Sequence, residues 1–205
     1  MRIERIEPSP HKKGRVLVFL EDGACLKITE RELLDFSLAS GDDLDPETLG
    51  RLKEAAGISN VRAKAAELIS KQAMSRRELE RKLRDKGASA EEAEEASAWL
   101  SSMGLMDDAQ YAAALVRRYA EKGYGPARIR SKLYEKGVPR ELWEDAMADL
   151  PEDAAQIDAY LSYKLLGQRP DERQRRRLTS ALLRRGFPWE AIQSAWGRYG
   201  EERDG

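Results

Sequence analysis

Three clusters of arginine and lysine recur along this 205-residue chain. The first holds Arg76, Arg77, Arg81 and Arg84, the second Arg128, Arg130 and Lys132, the third Arg175, Arg176 and Arg177. Guanidinium and ammonium groups at this density capture phosphate or carboxylate oxygens, the guanidinium fork two at a time. Residues for other chemistry are missing. The only histidine, His11, stands in a Pro/Lys turn, which excludes a His-rich metal site and argues against histidine-based catalysis. There is neither a G-x-x-x-x-G-K-S/T loop nor a G-x-G-x-x-G loop, and no nucleophile–base constellation. Asp107 and Asp108 read as a helix N-cap and a first-turn residue rather than a catalytic carboxylate pair. The expected assignment is therefore no catalytic residue, no metal and no cofactor, with the basic residues as a binding stripe.

The elements that must carry this stripe repeat as well. Lys82–Gly87 reads KLRDKG, Lys132–Gly137 reads KLYEKG and Ala181–Gly186 reads ALLRRG, with closing glycines 50 and 49 residues apart. Apolar positions keep register around them: Leu79, Ile129 and Leu178; Leu83, Leu133 and Leu182; Ala93, Trp143 and Ile192; Ala96, Ala146 and Ala195. A fixed period with one supersecondary unit per period is the signature of a repeat array, in which stacked neighbours supply the core that one small unit lacks. Each period reads as three helices, the second of which is basic. Ser75–Gly87 carries six basic and three acidic residues, Gly125–Gly137 four and one, and Asp171–Gly186 six and two. The third helix of the first repeat, Ala90–Gly104, has four glutamates and no basic residue. Ser75 with Glu78 and Ser89 with Glu92 form capping boxes, and Pro126, Pro139 and Pro188 are placed for N1 positions. Gly87, Gly137 and Gly186 should sit at C′ with positive φ. The four tryptophans, Trp99, Trp143, Trp189 and Trp196, fall in third helices and read as packing residues.

Residues 1–57 differ. Arg15–Leu20 and Ala24–Ile28 flank Glu21-Asp22-Gly23, a hairpin signal, and Met1–Ile6 can add a third strand. Thr29 with Glu32 caps a helix, and Asp45-Pro46 opens another that should end at Gly57, with Asn60 capping the next. Cys25, the only cysteine, excludes an internal disulfide and reads as a small core residue. No apolar run approaches the roughly 20 residues of a membrane span, and the N-terminus lacks a signal-peptide apolar region. The expectation is a soluble, cytoplasmic monomer. Its fold class is mainly α: three tandem three-helix repeats forming an elongated array (58–104, 105–150 and 151–205) after a small β-hairpin and helical segment (1–57). The terminal residues are expected to fray.

S-R-R-E-L-E-R-K-L-R-D-K-G (75–87), L-x-x-x-G-L-M-D-D-A-Q-Y-A (100–112) and G-P-A-R-I-R-S-K-L-Y-E-K-G-V (125–138) resemble the RecX family of bacterial RecA regulators. The resemblance covers roughly residues 60–200. It implies tandem three-helix repeats without catalytic residues, lying along the groove of a RecA filament on single-stranded DNA. There the protein would hinder filament growth, ATP turnover and strand exchange, and so act on DNA repair and the SOS response. Its partners would be RecA and, through the filament, single-stranded DNA. The third repeat departs most, with Arg185 where Lys86 and Lys136 stand. The alternative reading is a direct DNA binder built from tandem helix-turn-helix-like units. A sequence pI of about 6.1 and a net charge of −1 are low for a protein whose first partner is DNA.

Overall fold

Strand β2 (Arg15–Leu20) explains the N-terminal sheet by its alternation: Val16, Val18 and Leu20 are buried and the residues between them only half-buried. It is the central strand, antiparallel to β1 (Ile3–Pro8) and to β3 (Cys25–Thr29). The Asp22-Gly23 turn joins β2 to β3, with Gly23 at φ +80. Thr29 and Glu32 form the expected reciprocal capping box at the start of α1 (Glu30–Asp35). Asp45 caps α2 (Pro46–Lys71), whose Leu52 and Ala56 complete a core with Ile3, Val18, Leu20 and Ile28. The computed structural model describes residues 1–201. The expected fraying of the terminus concerns 202–205, which lie outside the described residues.

Three expectations fail in this region. Helix α2 does not end at Gly57 but runs without a break to Lys71, so position 57/58 falls inside a helix. Glycine stops a helix only where a left-handed residue is needed. Gly57 stays right-handed, and a Cβ there would meet only a carboxylate oxygen of Glu92 at an ordinary 3.5 Å, so nothing at this position calls for a stop. Asn60 is no N-cap; its side-chain amide donates to the Lys27 carbonyl at 2.9 Å. Cys25 is exposed rather than core. The β2–β3 register sets Leu26 and Ile28 opposite buried Val18 and Val16, which leaves Cys25 and Lys27 on the other face.

The rest of the described chain is helical: α3 (Arg76–Arg84), α4 (Ala90–Ser102), α5 (Asp108–Glu121), α6 (Pro126–Glu135), α7 (Trp143–Met147), α8 (Asp153–Leu165), α9 (Glu172–Arg185) and α10 (Trp189–Glu201). The chain packs as two units. One comprises Met1–Ala73 and Leu79–Met106; the other takes Met74–Glu78 with Asp107 onward. The repeat register holds in the core: Leu79, Ile129 and Leu178, then Leu83, Leu133 and Leu182, are all buried. Gly87, Gly137 and Gly186 have φ of +96, +68 and +90, as C′ residues should. The helix expected after Pro139 is reduced to a 3-10 turn at Arg140–Leu142 followed by the short α7. Trp143 uses its indole Nε1–H there to donate to the Val138 carbonyl at 3.0 Å.

Within the second unit the second helices meet end to end. The Gly125 amide at the start of α6 donates to the Arg185 carbonyl at the end of α9 (2.8 Å), and the Ala127 amide donates to the Gly186 carbonyl (3.2 Å). One period earlier, Ser75 Oγ at the start of α3 donates to the Lys136 carbonyl at the end of α6. A Cβ on Gly125 would lie 2.7 Å from the Gly186 carbonyl carbon and oxygen and from the Phe187 nitrogen.

Gly125 itself is extended (φ −79), so alanine there is allowed by its own backbone and opposed by its neighbour's. Gly125→Ala should lower unfolding stability by about 1–3 kcal/mol through overpacking. Gly50→Ala, in α2 with open space around the new methyl, should raise it by about 0.5–1 kcal/mol. Urea unfolding of the two variants checks the pair; equal effects would refute the crowded joint.

A candidate interface on the basic second helices

The stripe starts from how α3, α6 and α9 are seated. Leu79 and Leu83, Ile129 and Leu133, and Leu178 and Leu182 are buried, so each helix turns its remaining arc toward solvent. Arg77, Arg81, Arg84, Arg128, Arg130, Arg175, Arg176 and Arg177 are exposed, whereas Arg76 and Lys132 are half-buried. Their local partners divide them. Arg130 lies 3.7 Å from Glu144, Arg176 donates from Nε to Glu172 at 3.0 Å, and Arg81 lies 3.8 Å from Asp85. Lys132 pairs closely with Glu135, and that contact holds the Glu135 carboxyl below its ordinary range. Arg175 lies over the Trp196 ring, 5.4 Å from its centre. Among the described residues, Arg77, Arg84, Arg128 and Arg177 have no side-chain hydrogen bond or ion pair.

Two of these lie at the joints. A Cβ on Gly137 would meet Arg77 Cβ and Cδ, at 3.2 and 3.3 Å, and Ser75 Oγ at 3.3 Å; one on Gly186 would meet the Arg128 backbone nitrogen and Cβ. Arg77 therefore rests its aliphatic stem, and Arg128 its backbone and Cβ, against the closing glycine of the next repeat, and both residues remain exposed. The structure brings these residues to matching places at successive joints.

The basic residue just before each of these two glycines has a different role, which sequence reasoning missed. Lys136 Nζ lies 3.3 Å from Glu78, whose side chain is only 10% exposed. Arg185 donates from Nη1 to the Gly123 carbonyl at 2.9 Å and to that of Lys122 at 3.4 Å, and its guanidinium lies 4.8 Å from the centre of the Tyr160 ring. Lys136 and Arg185 tie repeats together. Their common place, 49 residues apart and one before the glycine, was the available signal. Asp107 caps α5 through Ala109 and Gln110, while Asp108 accepts from the Arg76 amide at 2.8 Å, so the acidic pair is structural. Nearby Tyr111 has its phenol pushed up to about 12, chiefly by burial and then by the Glu78 charge. Trp99 and Trp143 are half-buried and Trp196 is buried, but Trp189 is 52% exposed. No group of three or more His, Cys, Asp or Glu residues suited to a metal occurs among the described residues, and none of their helices is long and apolar enough to cross a membrane.

Residues 62–100 match the first three-helix domain of RecX and residues 107–147 match the second. A regulatory protein RecX of Pseudomonas entomophila is 38% identical over 134 residues, covering 64% of this chain and 86% of the relative. One from Lactobacillus delbrueckii subsp. bulgaricus is 29% identical over 188 residues, covering 89% and 69%. A crystal structure of regulatory protein RecX shares the fold over 96% of this chain and 98% of its own, with TM-score 0.71 at 24% identity. RecX from Lactobacillus salivarius superposes on 71% of this chain and 98% of its own, with TM-score 0.62 at 26% identity.

Arg185→Ala should cost about 1–3 kcal/mol, because it strips charged hydrogen bonds from two carbonyls. Arg177→Ala, which removes an exposed unpaired charge, should stay within about 0.5 kcal/mol. Thermal or urea unfolding separates them, and equal effects would void the division into tie and free charges. For Tyr111 the folded value lies above the ordinary 10. Its contribution to stability is complete below pH 10 and is lost as pH rises through about 12. Tyr111→Phe should flatten that alkaline limb of urea midpoints measured against pH.

Proposed function

The chain belongs to the RecX family, and from that premise we propose that it regulates a RecA recombinase by binding the RecA–single-stranded DNA filament along its groove. It acts without catalysis: it occupies the groove and so restrains ATP turnover, filament extension and strand exchange. The repeats 58–104, 105–150 and 151–205 each give one basic helix to the contact. The observation that carries this reading is the end-to-end succession at the two joints of the second unit, which leaves Arg77 and Arg128 unpaired at equivalent places. Cations that recur at equivalent joints suit a partner whose acidic groups also recur, and contacts with several protomers reinforce one another. The same arginines suit a phosphate backbone, so direct binding to DNA alone is the competing outcome.

Binding is measured with RecA alone, DNA alone and the assembled filament, each at two salt concentrations. The assembled filament should bind most tightly. Arg77→Glu/Arg81→Glu should leave the fold intact, shifting stability by less than about 0.5 kcal/mol. The double change should also weaken filament binding and flatten its salt dependence, because fewer counterions are released. Unchanged affinity and salt slope on charge reversal in all three repeats would exclude the stripe as the contact. Equal affinity for DNA alone would favour the direct DNA binder.

A further inference from the structure

A pocket of about 580 Å³ opens in the N-terminal unit, between the β1–β2 loop, β3 and the middle of α2. Its cations are Lys12, Arg15 and Lys27, joined by the imidazole of His11, and no carboxylate lines it. That is unexpected on composition, since residues 1–57 hold nine Lys and Arg against twelve Asp and Glu. The nearest acid on Lys12 is Glu67 at 3.7 Å, and Glu67 is already engaged by Lys71 at 2.6 Å and Lys64 at 3.1 Å. One carboxylate is thus shared among three lysines, and positive charge is left over around the opening. Among the described residues, the side chains of Lys27 and His11 have no hydrogen bond or ion pair.

The walls are built rather than incidental. Arg15 forks onto α2, donating from Nη1 to Ser59 Oγ (2.9 Å) and from Nη2 to the Ser59 carbonyl (2.6 Å). Asn60 holds β3 through the Lys27 carbonyl, and the loop closes on itself through the Ser9 amide to the Arg15 carbonyl at 2.8 Å. Leu17, Pro10 and Ala63 give the interior apolar surface. Cations at the rim over an apolar floor suit a ligand with a charged end and a flat, weakly polar body, and the volume lies in the range of small-molecule sites. An acidic peptide would satisfy the rim but leave the floor unused.

We propose that this pocket binds a nucleoside phosphate unit, with the phosphate on Lys12 and Lys27 and the base against Leu17 and Pro10. The unit can be a free mononucleotide or one nucleotide of a single strand. None of the pocket residues belongs to the basic stripe, and RecA plays no part in the site.

The full chain without RecA, labelled for amide NMR, is titrated with thymidine monophosphate, with a short oligothymidylate, with inorganic phosphate and with a glutamate peptide. Saturable shifts at Lys27, Asn60 and Ala63 with the mononucleotide and the oligonucleotide establish the nucleotide site; shifts with the oligonucleotide alone assign it to a strand. Lys27→Glu and Lys12→Glu should each weaken binding about tenfold, the scale of one lost charged hydrogen bond. Circular dichroism establishes that the variants fold, and Lys27→Gln, which removes the charge but keeps a polar side chain one atom shorter, gives a second test of the lost charge. No shift with either nucleotide, equal shifts with phosphate or the peptide, or unchanged affinity in folded variants would overturn the proposal.

Discussion

The helical half of the molecule depends on how helix ends dispose of their unpaired backbone groups. Every α-helix leaves amides at its start and carbonyls at its end without partners inside the helix. At the joint of α9 and α6 these shortages cancel: the amides of Gly125 and Ala127 take the carbonyls of Arg185 and Gly186. The contact also sets the positive end of one helix dipole against the negative end of the other. Backbones approach this closely only without side chains, hence Gly125 against Gly186. At the start of α3 the neighbour stands slightly further off, so serine bridges the gap with its hydroxyl. The repeat is therefore as much a repeat of helix-end chemistry as of hydrophobic spacing.

Much of this was legible in the sequence because it rests on local chemistry. The Thr29–Glu32 and Ser89–Glu92 capping boxes, the Asp22-Gly23 turn, Pro126 at N1 and the closing glycines involve groups a few residues apart. The misses are those in which distant packing decides. Gly57 looks like a helix stop, but the tertiary fold keeps it right-handed inside α2. Cys25 looks like a core residue until the strand register puts it opposite Phe19 instead of Val18. Pro139 does start a new element, but the third element of the second repeat is left with little helix. The basic stripe was readable as composition; what each charge does was not. Arg185 and Arg177 are the same residue type on one helix, yet one holds two carbonyls and the other faces solvent.

Near-neutral net charge thus conceals three kinds of arginine and lysine. Some, such as Lys136 and Arg185, fasten repeats. Some, such as Lys132 and Arg176, are engaged by acids on their own helix. Others, such as Arg77 and Arg128, have no side-chain hydrogen bond or ion pair among the described residues. Surface ion pairs are weak enough to be exchanged for stronger contacts, so the second group is a reserve rather than a loss.

The polarity of the joints has a consequence for biosynthesis. Ser75 finds its carbonyl at Lys136, 61 residues later, and the Gly125 amide meets the Arg185 carbonyl 60 residues on. The starts of the first two basic helices are therefore completed by the repeat that follows in the chain, whereas α9 closes its own start through Asp171 and Gln174. On a ribosome adding about 5–20 residues per second, each helix emerges several seconds before its complement exists. Maturation advances with the nascent chain, and each of the first two repeats stays provisional until its successor arrives.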